Sequence, residues 1–256
     1  MKSKKQIVII GNGKLGGVLR TALHKAGFNV RAFGRGQKPD VGDADIVFIA
    51  TQDQNIAKTA KSLARLEWKK GAVAVHCSGS ENSDLLSPLR RKGVFTASCH
   101  PLQSFPNLKS GLRALPGTYW FCEGRGRALA TMKPIIQKLR GKMVTVKPDQ
   151  KNAYHGAVCM AANYLTTLVG ASGDIAAQIG LRESEFRAAL APILHATLRN
   201  TIAIGPRAAL TGPIQRGDGV TVQKHQRAIK KLRNNSRDLL GVYNALYKYT
   251  KVMIDN

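Results

Sequence analysis

The sequence predicts an α/β fold: an N-terminal, doubly wound parallel sheet over residues 1–148, followed by a second, all-helical domain over residues 149–256. Three observations carry this reading. Short apolar runs rich in β-branched residues alternate with helical patterns through the first part of the chain. A glycine-rich turn separates the first run from the first helix. After Lys147-Pro148-Asp149 the strand-like runs stop and long helical patterns take over.

Taken in order, Gln6–Ile10 (QIVII) is continuous and apolar, as a strand buried on both faces requires. Leu15, Val18, Leu19, Ala22 and Leu23 then recur at helical spacing up to Gly27, a natural stop, and Asn29–Phe33 reads as the next strand. Asp45–Ala50, Ala72–His76, Val94–Ser98, Thr118–Cys122 and Met143–Val146 are five further short strands, the last two flanking a helix from about Arg127 to Leu139. In the second part, Phe186, Leu190, Ile193, Leu194 and Thr197 share one helix face, and Leu239, Tyr243, Leu246 and Thr250 share another.

Composition bounds the function. No apolar run is long enough to span a membrane, and the basic start Met1–Lys5 leads into glycines without a cleavage site, so neither a membrane segment nor a signal peptide is expected. Cys77, Cys99, Cys122 and Cys159 lie singly in apolar contexts, which fits free thiols in a reducing, cytoplasmic compartment. The formal net charge of +25 invites a nucleic-acid reading. The excess is spread over the whole chain, however, with no basic tail, aromatic cluster or zinc-ligand spacing to focus it. A solvated basic surface whose field favours anionic ligands is the simpler reading.

The strongest local motif is Gly11-Asn12-Gly13-Lys14-Leu15-Gly16, a GxGxxG between the first strand and the first helix. Gly11 permits the tight turn, Gly13 lets backbone approach a pyrophosphate, and Gly16 lets helix pack on strand, while the helix N-terminus offers free N–H groups. This is the Rossmann arrangement for dinucleotides. The end of the second strand reads Phe33-Gly34-Arg35, without the acid that bonds a ribose diol, so Arg35 is expected at a 2′-phosphate and NADP is preferred to NAD. Lys38 is the other cation within reach of that phosphate. Thr51, in the loop after the third strand, is a candidate ribose neighbour, and Asp53 a candidate helix cap.

His76-Cys77-Ser78-Gly79 and Cys99-His100-Pro101-Leu102 end two strands on the same sheet edge as the glycine loop. Ser78 is placed with the cofactor set, and His100 is a candidate to touch substrate, since reduction of a ketone needs a proton for the developing alkoxide. Cys77 has no evident base and is not expected to be a nucleophile. Farther on, Lys151, Tyr154, His155 and Asn163 are polar residues on one helix, with 151, 155 and 163 expected on a common face. Arg216 and Asp218 flank a glycine in a turn between helices, and Arg216 could grip a carboxylate.

As a set, GNGKLGG, ATQDQNI, HCSG, SCHPLQSF, YHGAVCMAANYL, LRNTIAIGPRAALTGPIQRGD and VQKHQ resemble a family of Rossmann-like, NADP-binding oxidoreductases akin to the 6-phosphogluconate and β-hydroxyacid dehydrogenases, with a C-terminal helical domain. The resemblance covers nearly the whole chain. Some members are ketopantoate reductases, so it implies NADPH-dependent reduction of 2-dehydropantoate to pantoate, and a homodimer formed through the helical domain. It also implies a substrate site in which Asn163 orients the carbonyl, His155 or Lys151 supplies the proton, and Arg216, beside Asp218, holds a carboxylate. Two departures stand out: Cys159 occupies the position four residues before Asn163 where β-hydroxyacid dehydrogenases carry a lysine, and Gln52 stands where many relatives have proline. The alternatives from other classes are an NADP-binding sensor without turnover and a basic protein associated with nucleic acid.

Overall fold

The computed structural model describes residues 4–255, which divide into two compact units at Val158 and Cys159. The expected boundary lay ten residues earlier, at 148. The difference is the helix that begins at Lys151, whose first residue is held by the sheet of the first unit.

The first unit contains β1 (Gln6–Ile10), α1 (Lys14–Lys25), β2 (Asn29–Phe33), β3 (Ile46–Ile49), α2 (Asp53–Leu63), β4 (Val73–His76), α3 (Ser87–Arg90) and β5 (Phe95–Pro101). It continues with α4 (Leu108–Ala114), β6 (Tyr119–Gly124), α5 (Gly126–Lys138), β7 (Lys142–Thr145) and α6 (Lys151–Val158). The seven strands form one sheet in the order β2-β1-β3-β4-β5-β6-β7. Strands β1 to β5 are parallel, as expected. The sheet is mostly parallel, the exception lying at its far edge, where β6 runs antiparallel to β5 and β7 follows β6. The physical reason is the β5–β6 connection: its short helix α4 packs on α1, where a Cβ on Gly111 would lie 2.5 Å from Val18 Cγ2. The β5–β6 connection lays no crossover helix across these two strands, so the chain re-enters beside β5 in the opposite sense.

The side-chain alternation of the central strands feeds two cores. Ile7, Ile9, Ile46, Phe48, Val73 and Val75 face α1 and α5, while Val8, Val47, Ile49 and Ala74 face α2 and α3. Strands β3 and β4 are buried along their whole length, which is why their sequences read as unbroken apolar runs. Each fully buried Ile or Phe contributes about 1.5–3 kcal/mol, so this double layer is what fixes the sheet edge on which the site sits.

The described residues of the second unit form helices joined by turns: a π-helical turn at Cys159–Asn163, then α7 (Tyr164–Gln178), α8 (Glu183–Ile204), α9 (Pro206–Ala209), α10 (Gly219–Lys230) and α11 (Ser236–Asp255). The helix expected to align Lys151, His155 and Asn163 is thus α-helical only to Val158 and changes hydrogen-bond spacing at Cys159. Within this unit α7 packs on α8 and α10 on α11, yet large apolar side chains such as Ile179, Ile193 and Ile202 are exposed. No helix of the described residues is long and apolar enough to cross a membrane.

Candidate active site

The carboxyl ends of β1 and β3 open into a cleft of about 990 Å³ lined by the glycine loop, the β2–β3 segment from Phe33 to Pro39 and one face of α2. Glycine is required at two points of its floor. Gly11 adopts φ +104°, and a Cβ there would lie 2.6 Å from the Ala50 carbonyl oxygen; one on Gly16 would lie 1.9 Å from the Gly11 carbonyl oxygen. Gly13 differs, because nothing lies within 4 Å of the place its Cβ would take. That space stands before the N-terminus of α1, whose first turn carries no acid and no side-chain cap, leaving N–H groups for an anion.

The cleft wall is free of carboxylates. Arg35 enters from the loop after β2 and Lys58 from α2, with Thr59 and Ser62 beside it, and neither cation is in an ion pair among the described residues. Thr51 also lines the cleft, and its hydroxyl is buried with no hydrogen-bond partner, an orphan beside Gly11. These features fit a dinucleotide phosphate: open space at Gly13, free N–H groups, two unpaired cations and one orphan hydroxyl. Of the expected cofactor residues, Gly11, Asn12, Gly13, Arg35 and Thr51 line the cleft. Gly16 packs beneath it, Leu15 turns into the core, and Lys14 is exposed at the start of α1.

Ser78 does something other than line the cleft. It is buried, donates from Oγ to Asp53 Oδ2 at 2.8 Å and accepts from the Glu81 amide at 3.1 Å. Asp53, at the first position of α2, therefore serves the loop after β4 and not its own helix; Gln52 is the N-cap, without a side-chain bond.

Along the same edge, β5 extends three residues beyond β4 and presents His100. Its Nδ1 is 3.0 Å from the Tyr154 hydroxyl, its ring lies edge-on to His155 with centroids 5.9 Å apart, and Tyr154 stacks on Phe121 at 4.2 Å. Both imidazoles press on Gly79, where a Cβ would lie 2.4 Å from His155 Cδ2 and 3.1 Å from the His100 ring. Burial first, then the charge of Lys151 and the neighbouring His155, push the His100 imidazole down to about 4, so it is neutral at physiological pH. Burial pushes the Tyr154 hydroxyl up to about 12, so it keeps its proton. A protonated hydroxyl bonded to a neutral imidazole is a proton-donating pair.

Lys151 is fully buried, and its Nζ donates to Ser98 Oγ at 2.7 Å and to the Ser78 carbonyl at 3.1 Å. Burial holds its ammonium below the ordinary lysine range, opposed by the nearby carboxylate of Glu123. His76 is a structural residue: fully buried, it uses Nε2 on the Asn82 carbonyl at 2.9 Å and receives the Ser78 amide at Nδ1. Cys77 is pushed up to about 12 by burial, so it is no nucleophile at neutral pH. Asn163 lies exposed in the second unit. There too, Arg216 is exposed in its turn and Asp218 caps α10, accepting from the Thr221 amide at 3.0 Å. Among the described residues no cluster of His, Cys, Asp and Glu could hold a metal ion.

Sequence reasoning missed Lys58 and named Tyr154 among the polar residues of its helix without a role. Lys58 had a legible signal, because Asn55, Lys58, Thr59 and Ser62 form a polar stripe at helical spacing on α2. Tyr154 had only its place three residues after Lys151.

The buried neutral histidine makes a stability prediction. His76 is held at about 4 by burial, against 6.5 for an ordinary imidazole. As pH falls from 6.5 to about 4 the unfolded chain binds a proton that the folded chain does not, so stability falls through that window. The loss at pH 4 is on the order of 3 kcal/mol, and urea unfolding at the two ends of the window measures it. His76→Gln should remove about half of the dependence, because His100 is held at about 4 by the same cause and contributes alike; an unchanged slope would show that His76 does not carry its share.

A family model described as "Domain of unknown function (DUF2520)" matches residues 118–250. No curated protein sequence matches the chain. Among solved structures, a Bacteroides fragilis protein described as a candidate NADP oxidoreductase superposes with TM-score 0.78 at 19% identity, covering 97% of this chain and 98% of its own. A Thermotoga maritima protein gives 0.73 at 25% identity over 97% and 98%. A reductive aminase from Aspergillus terreus, in complex with NADPH and ethyl levulinate, gives 0.67 at 14% identity over 97% and 95%. These are likenesses of fold, and they extend over both units.

Proposed function

Because the chain belongs to the DUF2520 family, whose description assigns no reaction, we propose its function from the geometry: it is an NADPH-dependent reductase of small carbonyl compounds. Its substrate class is the 2-keto acids, with 2-dehydropantoate the first candidate, as the sequence resemblance implies. The observation that carries this reading is that a carboxylate-free cleft with two unpaired cations shares one sheet edge with the Tyr154–His100 pair. That NADPH is bound in the Aspergillus terreus reductive aminase of the same fold supports the choice of cofactor.

When bound, NADPH supplies the hydride. The open space at Gly13 and the N-terminus of α1 would hold its diphosphate, Arg35 and Lys58 would hold its 2′-phosphate, and Thr51 would lie beside a ribose. As hydride reached the carbonyl carbon, the C=O π electrons would move to oxygen and the Tyr154 hydroxyl would give that oxygen its proton, leaving an alcohol and a tyrosinate that takes a proton back from solvent through the His100 ring bonded to it. His100 keeps the hydroxyl aimed. The positive surroundings, Lys151 included, favour an anionic keto acid over a cationic iminium. Imine reduction is the second reading, favoured by the fold shared with the reductive aminase.

Cofactor choice is testable at the two cations. Arg35→Asp should weaken NADPH about 10- to 100-fold and NADH about threefold at most, and Lys58→Ala should act in the same sense, since each removes a charge-assisted bond to a phosphate. Equal losses for both nucleotides would remove these residues from the 2′-phosphate.

The deciding assay is loss of NADPH absorbance with purified protein, a panel of 2-keto acids that includes 2-dehydropantoate, and a panel of cyclic imines. Turnover on a keto acid supports the reading. Turnover confined to imines replaces the substrate class, and tight NADPH binding without turnover turns the protein into a sensor of its cofactor. The exposed apolar side chains of α7 and α8 support a homodimer through the helical unit, and light scattering should give twice the mass of one chain.

A further inference from the structure

We infer that Lys151 is the positioning residue of this site: its buried ammonium clamps together the three chain segments that carry Gly79, His100 and Tyr154. The inference rests on the reductase reading above for what the cluster does, but its geometry is independent of the reaction.

Burying an ammonium costs several kcal/mol unless it is paired, so a lysine with no exposed surface is retained where its bonds hold something in place. Here the two bonds reach two different strands. Ser98 Oγ, at 2.7 Å, belongs to β5, and Ser98 and His100 project from the same face of that strand two residues apart. The Ser78 carbonyl, at 3.1 Å, belongs to the loop after β4, and the next residue is Gly79, against which both imidazoles are packed. Lys151 itself opens α6, and Tyr154 and His155 follow it at the three- and four-residue spacings that share a helix face. The ammonium is thus the shared anchor of every segment in the cluster, joining residues 53 and 73 positions apart in sequence.

A lysine with no exposed surface cannot reach a substrate, which separates this role from that of the proton donor. Its charge also acts on the cluster. The groups that face His100 are Lys151, Tyr154 and His155 from α6 and Asp53 from α2; Lys151 and His155 disfavour its protonation and Asp53 favours it. The groups around the ammonium are Glu123 and Cys122 from β6, Cys99 from β5 and Cys77 after β4. Removing the charge of Lys151 leaves His155 alone against Asp53, so His100 should take up a proton more readily.

The test compares Lys151→Met with Ser98→Ala in the full-length protein. Lys151→Met should bind NADPH within about twofold of wild type, because the cleft is left intact, while kcat falls about 30- to 100-fold as Tyr154 and His100 lose their alignment. The His100 ring, followed by NMR, should titrate at higher pH than in the wild type, where burial and the Lys151 charge hold it down, and the acid limb of kcat should move with it. Ser98→Ala keeps the charge and loses one bond, so kcat should fall about threefold with the His100 midpoint unmoved. Lys151→Arg, which keeps the charge, should restore the midpoint. Wild-type kcat and an unmoved midpoint in Lys151→Met would overturn the inference. If that variant does not fold, Ser98→Ala decides: an unchanged kcat overturns the clamp, and a reduced kcat at constant NADPH affinity supports it. Should the wild-type protein turn over nothing, the reductase reading fails, and the His100 midpoint of Lys151→Met still decides whether the lysine charge sets the state of the cluster.

Discussion

Gly13→Ala is expected to fold normally and to lose its cofactor. Gly13 has φ −75° and ψ −163°, which any residue adopts, and no atom lies within 4 Å of the added methyl group. Unfolding free energy should therefore stay within about 0.5 kcal/mol of wild type. The methyl group instead takes the space through which a diphosphate reaches the N-terminus of α1, and the NADPH Kd should rise about 100-fold. Gly16→Ala is the control with the opposite signature. Its methyl group would stand 1.9 Å from a backbone oxygen, so α1 or the loop must move, costing about 3 kcal/mol along with the affinity. Urea unfolding and fluorescence titration of both variants separate the effects. A Gly13→Ala protein that binds NADPH as wild type does would place the dinucleotide elsewhere.

The second large effect is expected at Tyr154. Tyr154→Phe keeps the ring stacked on Phe121 at 4.2 Å and removes only the hydroxyl that His100 holds. With a 2-keto acid, kcat should fall about 100- to 1000-fold while KM stays within about threefold, because the proton is needed only as the alkoxide develops. A preformed iminium needs no proton on accepting hydride, so its reduction should be spared. Equal losses on both substrates would show that the hydroxyl holds geometry and gives no proton. No loss on either would move the donor to His155. Because burial pushes this hydroxyl up to about 12, wild-type activity should show no alkaline limb from it at moderately basic pH.

The legibility of this protein follows the range of the interactions concerned. All seven strands were readable, because each is a local run whose period or continuity reports burial on one or both faces. The glycine loop was readable for the same reason: Gly11 and Gly16 meet backbone within a few residues of themselves or at the end of the adjacent strand. The direction of β6 was not, since nothing local says that α4 will pack on α1 instead of crossing the sheet. Lys58 stood in a legible stripe but needed α2 to be placed against the cleft before its charge meant anything. Lys151 was singled out as a polar residue on an apolar helix, but whether it meets substrate or core depends on two serines far away in sequence.

The sequence by itself determined the α/β order, the Rossmann loop, the missing acid after β2 and the helical character of the second unit, all of which are written in neighbouring residues. Only the tertiary structure decided which polar groups share a site. His100 and Tyr154 are 54 residues apart and meet because β5 runs three residues past β4 while α6 is pinned to the sheet by Lys151. Such a meeting depends on packing, and side chains brought together by packing leave no periodic trace in the chain that carries them.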